Sequence, residues 1–279
     1  MNNTVAIDSD AVAADVKLSA VGVLIFRNDE REPVAAGTGT FCRLGTVYGI
    51  LTAGHVIENL PRSGQIGLVR FPSIQPYIQN LKIDIEHTDR VVIWNGVEGS
   101  APDIAFLRIT PPCVSSILSF GGVFYDLGKK RDFSPSQGRT AATCYAVVGV
   151  VAEWLSDLPG KRPNTRLKDV HGIFGAATIA KRYKEGSAQV LDCKINYAPD
   201  VKVPASYEGV SGGALWQLLV ELDGTSVISM KKKLHGVAFR QSELIDNNRI
   251  VVCQGLDQVE ALAKKMVTKW SGQTGTENS

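Results

Sequence analysis

Apolar residues come along this chain in short runs separated by glycine, proline and charged residues. The runs at 16–26, 34–43, 47–53, 66–71, 81–86, 91–94 and 104–109 each read as a strand. Runs of that length bounded by turn formers are the mark of β-structure. A second series follows at 142–154, 170–182, 188–197, the stretch before Ser211, 215–222, 227–230, 234–240 and 249–253. Between the two series, Pro111-Pro112, Gly121-Gly122, Lys129-Lys130-Arg131 and Pro135 break any regular pattern. One segment has a helical period: Leu256, Val259, Leu262, Met266 and Trp270 share a face. Asp257 and Glu260 stand early in it and Lys264, Lys265 and Lys269 late, an order that complements the helix dipole.

The expected architecture is all-β, a closed β-unit in each half. Residues 1–15 form an N-terminal extension, 16–110 the first unit, 111–139 an interdomain linker and 140–255 the second unit. A helix over 256–270 and a disordered polar tail over 271–279 follow.

Composition narrows the function. A hydrophobic fraction of 44% in 279 residues supports a real core, and 30 Lys+Arg against 28 Asp+Glu leaves a net charge of +2. That balance carries no footprint for nucleic acid or an anionic membrane. The run Lys231-Lys232-Lys233 lies between two expected strands and reads as a solvated hairpin end. The apolar run at 18–26 follows Asp8, Asp10 and Asp15 and is too short for a bilayer, so it reads as a first strand, not a signal sequence. Five cysteines (Cys42, Cys113, Cys144, Cys193, Cys253) are an odd number without metal-ligand spacing. Reduced, buried thiols in a cytoplasmic protein are the simplest reading, with no metal and no cofactor.

The candidate chemistry centres on Glu208-Gly209-Val210-Ser211-Gly212-Gly213-Ala214. Glycines on both sides of a serine permit tight backbone geometry and convergent N–H groups; a plain Gly-Ser-Gly turn is the bland alternative. A serine needs a base to become a nucleophile. Of His55, His87, His171 and His235, only His55 ends an apolar strand-like run, Tyr48-Gly49-Ile50-Leu51-Thr52-Ala53-Gly54-His55. His87 and His171 read as solvent residues and His235 as packing. Asp103 leads into the apolar segment Ile104-Ala105-Phe106-Leu107 and is expected in a loop near the core. Cys42 lacks the glycine context of a nucleophile, and Trp154, Trp216 and Trp270 read as core.

Thr-Ala-Gly-His, Asp-Ile-Ala-Phe-Leu and Gly-Val-Ser-Gly-Gly resemble the three catalytic motifs of the trypsin-like (chymotrypsin-fold) serine peptidases, bacterial-type members included. Order and separations fit, with 48 residues from His55 to Asp103 and 108 from Asp103 to Ser211. The resemblance implies two antiparallel six-stranded β-barrels with a C-terminal helix. It implies a Ser-His-Asp triad of His55, Asp103 and Ser211, with the N–H groups of Gly209 and Ser211 as the oxyanion hole. It implies a serine endopeptidase acting on a protein or peptide substrate.

Three departures qualify the expectation. Val210 stands where digestive members carry the aspartate that captures a freed N-terminal ammonium, so activation by N-terminal cleavage is not expected. The hole is then preformed, or ordered by an effector or a regulatory protein partner, or collapsed in a catalytically silent peptide-binding module. Ala205, six residues before the serine, replaces the carboxylate of a trypsin-like pocket, implying a small or apolar preference. Ala238, Phe239 and Arg240 replace the usual Ser-Trp-Gly wall and would pair with substrate backbone. A helix and a short tail follow the second unit, so a lone protease domain acting with or on a separate protein is expected.

Overall fold

The computed structural model describes residues 9–26, 33–71, 80–154, 156–158, 167–169, 172–197, 203–223, 226–243 and 249–270. The first half runs α1 (Ser9–Lys17), β1 (Ala20–Phe26), β2 (Pro33–Leu44), β3 (Val47–Thr52), α2 (Gly54–Glu58), β4 (Gln65–Arg70), β5 (Asn80–Asp84), β6 (Asp89–Trp94) and β7 (Asp103–Arg108). Then come α3 (Pro111–Ser119) and the two-residue β8 (Tyr125–Asp126). The second half runs β9 (Thr140–Val150), β10 (Ser156–Leu158), β11 (Leu167–Asp169), β12 (Gly172–Glu185), β13 (Ala188–Asn196), β14 (Ala214–Asp223), β15 (Ser226–Gln241), β16 (Val251–Gly255) and α4 (Leu256–Trp270).

The fold is mostly β, with two main sheets and a C-terminal helix. The first sheet has the order β5-β4-β1-β2-β3-β7-β6, with β8 added in parallel beside β2. The second closes on itself as the barrel β12-β13-β16-β15-β14-β9.

The strands are apolar on both faces for a reason that alternation makes plain. On β14, Leu215 fills the second barrel with Val147, Leu191 and Cys253. Its neighbour Trp216 turns the other way, into a seam with Leu51, Phe106 and the α4 residues Val259 and Leu262. On β3, Ile50 fills the first sheet's core with Phe41 and Leu107, while Leu51 joins the seam. One face of each such strand serves its own sheet and the other joins the two halves.

Several sequence expectations need correction. Residues 16–26 are not one strand: α1 runs to Lys17 and β1 begins at Ala20, because Ala13 and Val16, a helical turn apart, are both buried. The segment 111–139 is not irregular throughout. Thr110 and the prolines after it start α3, since proline's fixed φ and missing N–H suit a first helical turn. Residues 227–230 and 234–240 belong to one strand, β15, with register shifts against β14. The lysines 231–233 therefore lie within a strand: Lys232 reaches Asp15 of α1 at 2.9 Å and covers the Trp216 ring at 5.4 Å. Residues 85–87 form a single 3-10 turn after β5. The charged segment 158–168 is bounded by the small β10–β11 pair, and no strand lies among the described residues between 203 and Ser211. The expected tail at 271–279 lies outside the described residues.

Among the described residues, no helix is long and apolar enough to cross a membrane.

Candidate active site

Strand β3 stops at Thr52 and the chain turns directly into α2, which carries His55 in its first turn. Glycine is required before that histidine. A Cβ on Gly54 would lie 2.8 Å from Asp103 Oδ1 and 2.9 Å from Trp94 Cβ. Asp103 is not a loop residue; it opens β7, opposite Trp94 of β6, and is fully buried. Its Oδ2 lies 2.5 Å from His55 Nδ1, and its Oδ1 accepts the His55 backbone N–H at 2.9 Å. With Nδ1–H bonded to the acid, the neutral ring presents Nε2 as a lone pair.

The backbone of Asp103 is held from the other sheet. Gln254 of β16, fully buried, accepts the Asp103 N–H at 3.0 Å and donates its amide to the Asp103 carbonyl. The chain just before it is held as well. Ala101 N–H donates to Glu185 Oε1 at 2.9 Å, and Glu185 pairs with Arg240 at 2.8 Å. Arg240 also donates to the Tyr183 hydroxyl at 3.1 Å and to the Gly99 carbonyl. Sequence reasoning missed Gln254 and Glu185. The signal for Gln254 was an amide inside the apolar run Val251-Val252-Cys253-Gln254, since a buried amide must find partners.

Ser211 sits in a turn that only its glycines permit. Gly209 and Gly212 both have φ of +90°, and a Cβ on Gly212 would lie 1.9 Å from the Thr38 carbonyl oxygen. Val210 is buried with Val147, Val151 and Leu215 in the second barrel. It fits because Gly149 leaves room: a Cβ there would come within 2.8 Å of Val210 Cγ1. An apolar anchor thus fixes the loop where an ion pair was absent from the sequence.

Two carbonyls beside the serine are tied outward. Glu208 O accepts the Ala152 N–H at 2.8 Å, and Gly209 O accepts the Thr38 hydroxyl at 2.6 Å. The Glu208–Gly209 peptide is trans, so its N–H points opposite to its C=O and away from Ala152. Neither the Gly209 nor the Ser211 N–H has an acceptor among the described residues. Thr38 is the third residue that sequence reasoning missed. Residues 37–40, where a bend or bulge is expected, pair in regular register with β1; the bulge falls one residue earlier, at Ala36, and Thr38 itself joins the two halves.

His55, Gly209 and Ser211 line one cleft of 450 Å³. The Ser211 hydroxyl is turned toward the Phe239 carbonyl at 3.4 Å, long for an O–H···O bond. Of the expected pocket residues, Phe239 and Arg240 line the cleft, and Ala205 and Ala238 do not. Ala205 is exposed, its N–H on Glu153 and its carbonyl on Arg249. Ala238 is buried and pairs through its backbone with Gly212 and Gly213. Tyr207 and Gln241 take their place in the lining, the Tyr207 N–H donating to Gln241 Oε1 at 2.7 Å. Counting back from the serine fails because the turn folds on itself, Val210 N–H to Tyr207 O.

The other candidates stand apart. His87 is exposed near Asp84. His235 is half-buried against Tyr145; burial, then Arg182 and Lys233, lower its pKa to about 4. His171 lies outside the described residues. Cys42 is fully buried, which pushes its thiol pKa up and leaves it no access to a substrate. Among the described residues, no group of three or more His, Cys, Asp or Glu side chains could hold a metal ion.

No protein-family model matches the chain, and no curated protein matches it in sequence. Solved structures that it resembles include two bacterial proteases. The serine endoprotease from Yersinia pestis is 15% identical, with a TM-score of 0.48 over 95% of this chain and 68% of that one. The Rv3671c protease from M. tuberculosis in its active form is 14% identical, with a TM-score of 0.43 over 92% of this chain and 84% of that one. Its inactive form scores 0.44, at 14% identity, over 92% of both chains. At such scores, what this site can do rests on its own geometry.

Proposed function

We propose that the protein is a serine endopeptidase, with Ser211 as nucleophile, His55 as general base and Asp103 as its orienting acid. His55 Nε2 takes the proton as Ser211 Oγ attacks a peptide carbonyl. The carbon–nitrogen bond breaks, and the imidazolium returns the proton to the leaving amine. Water, deprotonated by the same ring, then releases the acid from the acyl-enzyme. Asp103 keeps the proton on Nδ1 and stabilises the charged ring. The N–H groups of Gly209 and Ser211 receive the oxyanion, a contribution of roughly 3–4 kcal/mol per donor to the transition state.

The observation that carries this reading is the outward tether of the Glu208 carbonyl on Ala152, with no acceptor for the Gly209 N–H among the described residues, beside the cleft that His55, Gly209 and Ser211 line. Residues 239–241 support peptide binding: β14 pairing ends at Val237, and Arg240 and Gln241 pair with β16 on one side and with no strand on the other among the described residues. A cytoplasmic setting accords with five unbridged thiols.

A second reading, a silent or partner-gated module, draws on the Ser211 hydroxyl facing Phe239. Labelling with a fluorophosphonate, read by intact mass, separates the two. An adduct on the wild type that is absent from Ser211→Ala supports the enzyme. No adduct at any pH from about 6 to 9, a range that brackets ordinary histidine titration, supports the silent or gated form.

A further inference from the structure

A groove of 400 Å³ opens between the 127–131 segment and α4, lined by none of the residues of the Ser211 cleft. Lys129, Lys130 and Arg131 stand on one side of it and Lys233 of β15 on another. None of the four makes an ion pair among the described residues. Arg131 is stacked over the Tyr125 ring at 4.3 Å. Leu127, Leu256, Val259 and Ala263 supply apolar lining, and Glu260 is the one carboxylate there. In a chain of net charge +2, four cations against one carboxylate around one groove are a local excess.

We infer that this groove docks an acidic segment of a partner protein, with apolar side chains between its carboxylates. The three ammonium groups and the Arg131 guanidinium call for carboxylates, and electrostatic complementarity of this kind speeds and orients docking. The apolar lining calls for alkyl side chains, which a bare polyanion lacks. A single-stranded nucleic acid would need an open aromatic face, but Tyr125 is 7% exposed and its ring is covered by Arg131. A bilayer favours a protruding apolar surface, and this one is recessed. The site is not isolated from the chemistry: the Tyr125 ring packs on Trp216 at 5.1 Å, on the strand that leaves the Ser211 turn.

The test uses the full chain as Ser211→Ala, so that proteolysis plays no part. A fluorescein-labelled peptide alternating glutamate with leucine is titrated by anisotropy, beside a glutamate–serine peptide of equal charge. The expected result is binding of the glutamate–leucine peptide, weaker binding of its partner, and a loss of affinity as salt rises. Lys129→Glu with Lys130→Glu, both exposed and free of ion pairs among the described residues, should weaken binding about tenfold with Tm unchanged. Absence of binding, or equal binding by the double variant, overturns the proposal. So does tighter binding of an oligonucleotide or of phosphatidylserine vesicles that the peptide does not displace.

Discussion

The Thr38 hydroxyl donates to the Gly209 carbonyl at 2.6 Å while accepting the Val150 N–H at 2.8 Å. One buried side chain of the first sheet thereby sets the orientation of a peptide beside Ser211 in the second half. Thr38 N–H adds a bond to the Ser211 carbonyl at 2.8 Å, so the serine turn is braced from both directions.

Thr38→Val keeps the shape and removes the hydroxyl. It leaves a buried donor and a buried acceptor unpaired, a cost of about 1–3 kcal/mol. On the proposed reaction, fluorophosphonate labelling should slow by at least tenfold, by way of the oxyanion donors, while Thr38→Ser restores it. An unchanged labelling rate in Thr38→Val would remove the brace from the account.

Gly54→Ala should act on the acid and not on the base itself. The new Cβ competes with Asp103 Oδ1 for the same space, and displacement of a positioned group by about 1 Å costs on the order of 100-fold in rate. Labelling kinetics of the folded variant measure this directly. Equal rates would mean that the carboxylate has slack that the geometry does not suggest.

Glu221 carries a pH prediction. Its carboxylate accepts the Ser136 N–H at 2.7 Å, the Ser136 hydroxyl at 2.8 Å and the Ser229 hydroxyl at 2.8 Å. The Ser136 backbone bond, followed by the hydroxyl bonds, lowers its pKa to about 2. A carboxylate with a folded pKa below its unfolded one stabilises the fold above the unfolded pKa, and that stabilisation fades as pH falls through the folded pKa. Wild type should melt above Glu221→Gln near neutrality, and the gap should close as pH drops from about 4.5 toward 2. A constant gap would contradict the assignment.

Trp270 ties the end of α4 to the first sheet. Its Nε1–H donates to Asp89 Oδ2 at 2.8 Å, Lys269 reaches Asp89 Oδ1 at 2.5 Å, and its ring meets Phe106 at 5.9 Å. Trp270→Ala should cost about 3–5 kcal/mol in denaturant unfolding, and Trp270→Phe less, because the ring contact survives. Wild-type stability in Trp270→Ala would show that the helix end is dispensable.

Much of this was legible along the chain, for local reasons. Strand runs and the α4 face depend on residue spacing, so 47–53, 215–222 and 256–270 could be read directly, within a residue of the observed ends. The motifs around His55, Asp103 and Ser211 mark their own glycines and apolar flanks. The misreadings came where tertiary context overrides a local signal. The double proline starts α3 instead of ending structure, and Lys232 lies within a strand because Asp15 and Trp216 receive it.

By itself, the sequence determined a mostly β chain in two halves with a terminal helix, and singled out a serine, a histidine and an aspartate far apart in number. Tertiary structure alone decided that Asp103 reaches His55, that Thr38 and Ala152 turn two carbonyls away from the cleft, and that Ala205 stays outside it. The reason is physical. Strand and helix propensity act over a few neighbouring residues, whereas the direction of a peptide plane is set by whichever donor from a distant strand reaches its carbonyl.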